Sequence, residues 1–307
     1  MIIFTNNTDF AETIIDHAPK WAKNDIQQDQ ESIRFLNTAI FQQQTIYKTK
    51  LKIYNPWEYL LITDFSISSQ YDILIELSKS VRLPDKILCL SGTGERFHGQ
   101  KNRKWVTLRG NIHLSVLLAP NQIVDQFHSG AILLSPISVI QTIDSINSIQ
   151  KKAQIKWIND VVIEEKKVCG AIAHSQTSGK IIKMIILGIG LNVETTPQIL
   201  HDKFSLGTAC LHDYSNNLKD CSLPIVFKHL IYYLHQNYKK LLTNCYEELL
   251  KNYRKQSMVI GKKVKVFSDE TGKEIVSGKV LDIGNNLELI IKNYCDAVNK
   301  GRIVLVE

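Results

Sequence analysis

Several absences narrow what this chain of 307 residues can be. Its six cysteines (Cys89, Cys169, Cys210, Cys221, Cys245, Cys295) are scattered, and no two form a C-x-x-C pair, which argues against a zinc site. The opening residues, MIIFTNNTDFAETIIDHAP, have neither the basic start nor the long apolar stretch of a signal peptide. No uninterrupted apolar run reaches membrane-spanning length. A reduced, soluble, cytoplasmic protein without a membrane partner is the expectation. The G-x-x-x-x-G-K-[ST] pattern is absent, which disfavours a P-loop kinase or ATPase. No Ser/His/Asp or Cys/His constellation can be assigned, and there is no internal repeat or long low-complexity linker. Lys and Arg number 37 against 30 Asp and Glu, a net charge of +7. The cations are not gathered into one block, so the charge reads as a solvated basic surface or as attraction to an anionic ligand or an acidic partner.

What is present builds a core. Apolar residues make up 44% of the chain, and its length favours about two domains. Residues 1–56 mix apolar and polar residues with Gln- and Asn-rich patches. A strand at 2–4 and one or two helices within 8–46 are expected there. No helix-turn-helix pattern with a basic recognition face appears, so no DNA partner is expected. From residue 57 the signals sharpen. Strands are predicted at 59–62, 86–90 and 112–118, with a polar loop over 91–103 between the last two. Ser68-Ser69 caps a helix from Gln70 to about Lys79, and Ser135-Pro136 opens one to about Ile149. Further strands are expected near 154–157, 160–163, 168–174 and 181–187. Residues 195–223 look irregular. A long core-facing helix starts at Ser222 and Pro224, with Phe227, Leu230, Ile231, Leu234, Tyr238, Leu241, Cys245 and Leu249 at helical spacing. After Gln256, short strands at 263–267, 275–280, 287–291 and 303–306 are punctuated by glycine and read as a small β-barrel. The expected division is 1–56, an extension of unclear role; 57–256, a mixed α+β body; and 257–307, a small β domain.

Three groups of residues carry chemical interest. The first is Lys156-Trp157-Ile158-Asn159-Asp160, then Lys166-Lys167-Val168-Cys169-Gly170, then Gly188-Ile189-Gly190-Leu191-Asn192-Val193. Lys meets phosphate as a point charge, a carboxylate such as Asp160 can hold a cation, and Gly allows close approach of backbone to a ligand. The blander reading of Lys166-Lys167 is an exposed hairpin pair beyond the turn at Glu164-Glu165, and of the glycines a strand bulge. The second is the loop His98-Gly99-Gln100-Lys101-Asn102-Arg103-Lys104-Trp105, followed by Gly110-Asn111. Cations and backbone amides wrap phosphate oxygens and Trp covers an apolar ligand; taken alone, such a loop is more often a solvated hairpin. The third is Ser68-Ser69-Gln70, ordinarily only a helix cap. His113 and Cys169 are read as structural.

Together these groups resemble the K-W-P-N-D … K-x-x-G … G-I-G-x-N pattern of biotin protein ligases, with Ile158 in place of Pro. The resemblance covers roughly residues 57–307. It implies an α+β fold: a mixed β-sheet with helices, plus an SH3-like C-terminal domain. It implies a reaction of biotin with ATP and Mg²⁺ to give biotinyl-5′-AMP, then transfer to a lysine of the biotin carrier domain of a carboxylase; a homodimer is possible. By the same resemblance Lys167 and Arg103 are catalytic. Ser68, Ser69, Gln70, His98, Gly99, Lys167 and Gly170 bind biotin. Arg103, Trp105, Asn159 and Asn192 bind nucleotide, and Asp160 organises the metal. The loop departs from the family's G-R-G-R-x-G-R-x-W. Gly99, Arg103 and Trp105 match, but His98 and Gln100 stand where Arg is usual, and Phe97 and Asn102 where Gly is usual; Gly92-Thr93-Gly94 is a second candidate for the glycine-rich turn. The alternatives are a lipoate or octanoate ligase of the related fold, or a non-catalytic biotin or adenylate sensor.

Overall fold

A strand buried on both faces reads as a continuous apolar run, and four such runs form the centre of this protein. The computed structural model describes residues 1–15, 20–51, 56–199, 204 and 206–306. In chain order the elements are β1 (Ile2–Thr5), α1 (Thr8–Glu12), β2 (Ala22–Lys23), α2 (Glu31–Phe41), β3 (Tyr47–Lys50), β4 (Tyr59–Ser66), α3 (Gln70–Leu77), β5 (Ile87–Gly94), β6 (Ile112–Leu118), α4 (Phe127–Asp144), β7 (Ala153–Lys156), β8 (Asp160–Ile163), β9 (Lys166–Ser178), β10 (Ile181–Leu191), α5 (Leu223–Leu242), α6 (Tyr246–Lys255), β11 (Lys263–Phe267), β12 (Glu274–Ile283), β13 (Leu289–Ile291) and β14 (Arg302–Val306). None of the described helices is long and apolar enough to cross a membrane.

Strands β1–β10 form one mixed sheet in the order β2-β3-β1-β4-β5-β6-β10-β9-β8-β7. The pairs β1·β4 and β4·β5 are parallel; the others are antiparallel. The two-residue period of the strands sends alternate side chains to two cores. Leu60, Ile62, Leu88, Leu90, Leu114, Val116, Ile185 and Leu187 pack with α4, α5 and α6 on one side. Leu61, Ile87, Cys89, Leu117, Met184 and Ile186 pack with α2 and α3 on the other. The C-terminal residues add a four-stranded antiparallel sheet, β13-β12-β11-β14. Its inner residues Val264, Val266, Ile283 and Leu289 join the same core as α4–α6. The fold is therefore the expected α+β architecture: a large mixed sheet with helices, and a small C-terminal β domain.

Several local expectations are corrected. The boundary expected at 56/57 falls between paired strands, because β1 lies parallel to β4, with Ile2 opposite Tyr59 and Ile3 opposite Leu60. Residues 1–50 thus extend the main sheet; a buried Asp29 carboxylate ties them together by accepting from Asn24, Asn37 and Lys48. Helix α4 begins at Phe127, with Pro136 inside it. It is buried almost all round, and that burial outweighs the backbone hydrogen bond Pro cannot donate. The helix expected to run from 222 to 249 breaks at Asn244, in the left-handed region with φ 58°, into α5 and α6. Ser69 precedes α3 without a side-chain capping bond. Strand β5 runs to Gly94, so Gly92-Thr93-Gly94 is strand and not a turn. In the stretch expected to be irregular, residues 200–203 and 205 lie outside the described residues; Leu211–Tyr214 forms one short 3₁₀ turn.

Candidate active site

A cleft of about 740 Å³ opens on the α2–α3 side of the sheet. Its floor follows from strand parity. Leu117 and Ile186 face this side, so His113 and Ser115 on β6 and Gly188 and Gly190 on β10 face it too. Gly170 on β9 lies opposite Gly190. Over the floor come the loop 97–106, the turn 156–160, part of 197–208, and residues 299–303 of the C-terminal domain.

The glycines let an aromatic ring lie flat on the sheet. A Cβ on Gly190 would stand 2.3 Å from Cε2 and Cζ2 of Trp105, and one on Gly170 would stand 3.2 Å from Trp105 Cζ3 and 2.9 Å from Lys167 Nζ. No side chain fits there unless the ring moves. Trp105 is held at its backbone, donating to the Phe97 carbonyl at 2.9 Å. Its indole Nε1 donates to Nδ1 of the buried His113 at 3.3 Å.

Lys167 owes its place to a β-bulge. The β8·β9 register jumps so that Val161 opposes Cys169 while Val162 opposes Lys167, leaving Val168 as the extra residue. A bulge re-aims the side chains beside it. The Lys167 backbone is further clamped by bonds from its N–H to Gly207 and from the Ala209 N–H to its carbonyl. Its Nζ lies 2.7 Å from Asp160 Oδ1 and 5.6 Å from the centre of a Trp105 ring. Lys156 is half-buried and donates to the Phe204 carbonyl at 3.1 Å. Burial first lowers its pKa; Asp160 opposes this, while Lys167, Arg302 and Arg103 push it further down. Lys167, Arg302 and Arg103 thus lie near enough to Lys156 to act on its charge, an environment suited to a polyanionic ligand. Burial holds the Cys169 thiol protonated, which removes it as a nucleophile.

The cleft brings together most of the residues singled out in the sequence, but not all. Ser69, His98, Gly99, Arg103, Trp105, Asn159, Asp160, Lys167, Gly170 and Asn192 line it. Ser68 does not. Gln70 is fully buried, outside the lining; its amide donates to Thr63 Oγ1 at 2.9 Å and its carbonyl oxygen has no partner. His98 is committed to the protein at both ring nitrogens, to Asp72 and to the Gly99 carbonyl. The Asn159 amide donates to the Ala171 carbonyl. The Asn192 amide donates to the Ala209 carbonyl at 3.0 Å, while its buried Oδ1 lacks a partner. Arg103 is exposed, its Nε bonded to the Gln100 carbonyl.

Some lining residues carried no assigned role in the sequence. Lys156 sits inside a recognised motif, and its neighbours' roles were the available signal. Phe204, Lys300 and Arg302 come from elements that only the tertiary fold brings to the cleft; Arg302 lies over the Phe204 ring at 4.0 Å, and nothing local marks it. Among the described residues no group of three or more His, Cys, Asp or Glu could cage a metal. Asp160 and Asp269 are carboxylates at the cleft, which fits a Mg²⁺ that arrives with phosphate oxygens and keeps its waters rather than one resident in a protein cage.

Residues 90–192 match the biotin/lipoate A/B protein ligase family. The chain is 24% identical over 191 residues to the bifunctional ligase/repressor BirA of Bacillus subtilis (strain 168), covering 58% of this chain and 54% of that protein. It is 27% identical over 105 residues to the biotin–[acetyl-CoA-carboxylase] ligase of Paracoccus denitrificans, covering 32% of this chain and 41% of that one. The chain thus spans about half the length of the curated relatives it matches. In fold it is similar to the biotin protein ligase of Aquifex aeolicus solved with biotin and ATP: TM-score 0.63 at 20% identity, over 81% of this chain and 99% of that one.

Proposed function

We propose, from the match of residues 90–192 to the biotin/lipoate A/B protein ligase family, that the chain is an ATP-dependent biotin protein ligase. In the first step a biotin carboxylate oxygen attacks the α-phosphorus of ATP, the bond to the β-phosphate oxygen breaks, and pyrophosphate leaves. In the second, a lysine amine of a carrier domain attacks the acyl carbon of biotinyl-5′-AMP and AMP leaves. The single observation that carries this reading is the placement of Lys167 Nζ against the glycine floor, beside Asp160 and within the cation group of Lys156, Arg103 and Arg302.

The chemistry needs that charge. Joining a carboxylate to a triphosphate brings anions together, and a fixed ammonium relieves the repulsion and stabilises the charge that builds on the phosphoryl oxygens. We assign both roles to Lys167, and the phosphate side to Arg103. Gly99 lets substrate approach backbone, and Gly170 leaves room for Lys167 Nζ and the Trp105 ring beside it. Ser69 offers a hydroxyl to the ureido group. The unpartnered Oδ1 of Asn192 suits an amino group of the adenine. Asp160 would hold a phosphate-bound Mg²⁺, whose contribution is to neutralise the phosphates. The roles expected for Ser68 and Gln70 at biotin are not supported by their positions; Gln70 would act only through Thr63.

Incubation with biotin, MgATP and an apo carrier domain tests the reading. Carrier biotinylation and biotin-dependent ATP–pyrophosphate exchange are expected, and absence of both overturns it. Exchange with lipoate but not biotin would assign the related ligase activity, because a site built to bond a ureido group rejects a ligand lacking it. Tight biotin binding without exchange would mark a sensor. Two of the relatives are named repressors as well as ligases; salt-sensitive DNA affinity is the corresponding measurement.

A further inference from the structure

Two histidines hold the loop 97–105, one at each end, and the proposed reaction uses the protonation of neither. At the start of the loop, His98 Nε2 lies 3.0 and 2.9 Å from the two carboxylate oxygens of Asp72 on α3, and Nδ1 lies 3.0 Å from the Gly99 carbonyl. An acceptor at each nitrogen requires both to donate, which only the imidazolium does. At the end of the loop the requirement is opposite. His113 Nδ1 accepts from the Trp105 indole at 3.3 Å, and its Nε2 donates to the Leu108 carbonyl at 3.2 Å. That geometry admits one proton, and so a neutral ring.

We propose that Asp72 and His113 are positioning residues that together hold this loop closed over the glycine floor, closure requiring His98 charged and His113 neutral at the same time. The role assigned to the closed loop rests on reading the cleft as the adenylation site; the closure itself does not. It would serve where the loop has fewer arginines and glycines than its family's pattern, with protein contacts doing what ligand contacts and backbone freedom otherwise do.

The surroundings agree with the two states. Facing His98 are Asp72, the Tyr71 ring edge-on at 6.3 Å, and Lys104 bridged to it across the loop; Lys101 and Arg103 are the other loop cations. Burial works against its charge, but the Gly99 bond and then Asp72 outweigh it, and the pKa is raised above 6.5. Facing His113 are the Trp105 and Phe97 rings, the Leu108 carbonyl, and Ser91 on β5 and Gly190 on β10 in register with it. Burial pushes its pKa down to about 4, against the Leu108 bond, and no charged group acts on it among the described residues. The signs then follow. The His98 clasp is at full strength below pH 6.5 and is lost as pH rises through the raised value. The His113 clasp is at full strength above pH 6.5 and is lost as pH falls towards about 4. Closure is greatest between these limits.

Amide hydrogen exchange tests this without requiring any activity. The reporters are the N–H of Gly99, which donates to the Arg103 carbonyl, and that of Trp105, which donates to Phe97. Each variant is compared with wild type at the same pH. At about pH 6, Asp72→Asn is expected to speed their exchange about threefold, the scale of a partly exposed ion pair, while Asp72→Glu stays near wild type. Towards pH 9, as His98 loses its charge, the difference between Asp72→Asn and wild type is expected to shrink. His113→Asn keeps an acceptor near Nδ1 that cannot be protonated, so the acid-side loss of Trp105 protection should disappear. In biotin-dependent ATP–pyrophosphate exchange, Asp72→Asn should move the alkaline limb of the pH profile to lower pH, because the carboxylate that helps hold His98 charged is gone. Equal protection in Asp72→Asn and wild type at about pH 6, or an unchanged acid limb in His113→Asn, overturns the proposal. If wild type shows no exchange chemistry with any acid, the ligase reading fails while the amide measurement still decides the clasp.

Discussion

Lys167 shares its charge with Asp160 at 2.7 Å while both remain partly exposed, so its loss should cost rate far more than stability. Lys167→Ala is expected to lower biotin-dependent ATP–pyrophosphate exchange on the order of 100-fold, with a melting temperature close to wild type; exchange within twofold of wild type would remove Lys167 from the assigned role. Gly190 makes a second prediction at this scale. A methyl group there collides with the Trp105 indole at 2.3 Å, and the ring is the part able to move. Gly190→Ala should shift Trp emission and reduce exchange on the order of 100-fold, because small displacements in a positioned site are costly, while the circular dichroism of the sheet is retained. Of the candidate residues, those inside compact motifs were legible from type and spacing: Lys167, Asp160, Asn192 and Gly170 all reach the cleft. Ser68 and Gln70 were not, because a one-residue step along the chain decides whether a side chain faces the cleft or the core, and the Ser-Ser-Gln triplet carries no signal of which.

At the scale of elements, the turn between β8 and β9 places Glu164 and Glu165 at φ 48° and 61°. Two positive φ values in a two-residue hairpin are the requirement of a type I′ turn, which Asn-Gly meets without strain. The double replacement Glu164→Asn, Glu165→Gly is expected to stabilise the protein by about 1 kcal/mol, measured as a higher denaturation midpoint at unchanged slope; a lower midpoint would show that the glutamates are held by something more than the turn. Strands β6, β8 and β11 were bounded correctly, β6 by its apolar run and by Pro120 beyond it. The helices were less legible. Ser135-Pro136 looked like a start because Pro suits a first turn, yet α4 carries that Pro in its interior, where burial on all sides outweighs the lost bond. The long apolar stripe from 223 to 249 hid a break, because Asn244 turns the chain without interrupting the hydrophobic spacing of α5 and α6.

At the scale of the whole molecule, the C-terminal β domain is not a separable cap. Its Val264, Ile283, Leu287 and Leu289 belong to the same core as α4–α6, Leu287 accepts from Trp157 Nε1 at 2.7 Å, and Arg254 and Tyr246 on α6 bond to the carbonyls of Ile283 and Asn285. A chain ending at residue 256 should therefore melt lower and less cooperatively than the full chain, because its loss uncovers apolar surface at Trp157, Tyr246 and Tyr253; an unchanged melting transition would show that the two parts are independent. The same holds at the other end, where β1 pairs with β4 and residues 1–50 complete the sheet. By itself the sequence determined the family pattern, the alternation that makes a two-faced sheet and the small β domain, since these depend on residue type at short spacing. Only the tertiary structure decided that the first 50 residues extend the sheet, that Arg302 and Phe204 reach the cleft, and that His98 and His113 face Asp72 and Trp105. Those outcomes depend on pairing and register between segments far apart in the chain, and no local spacing encodes them.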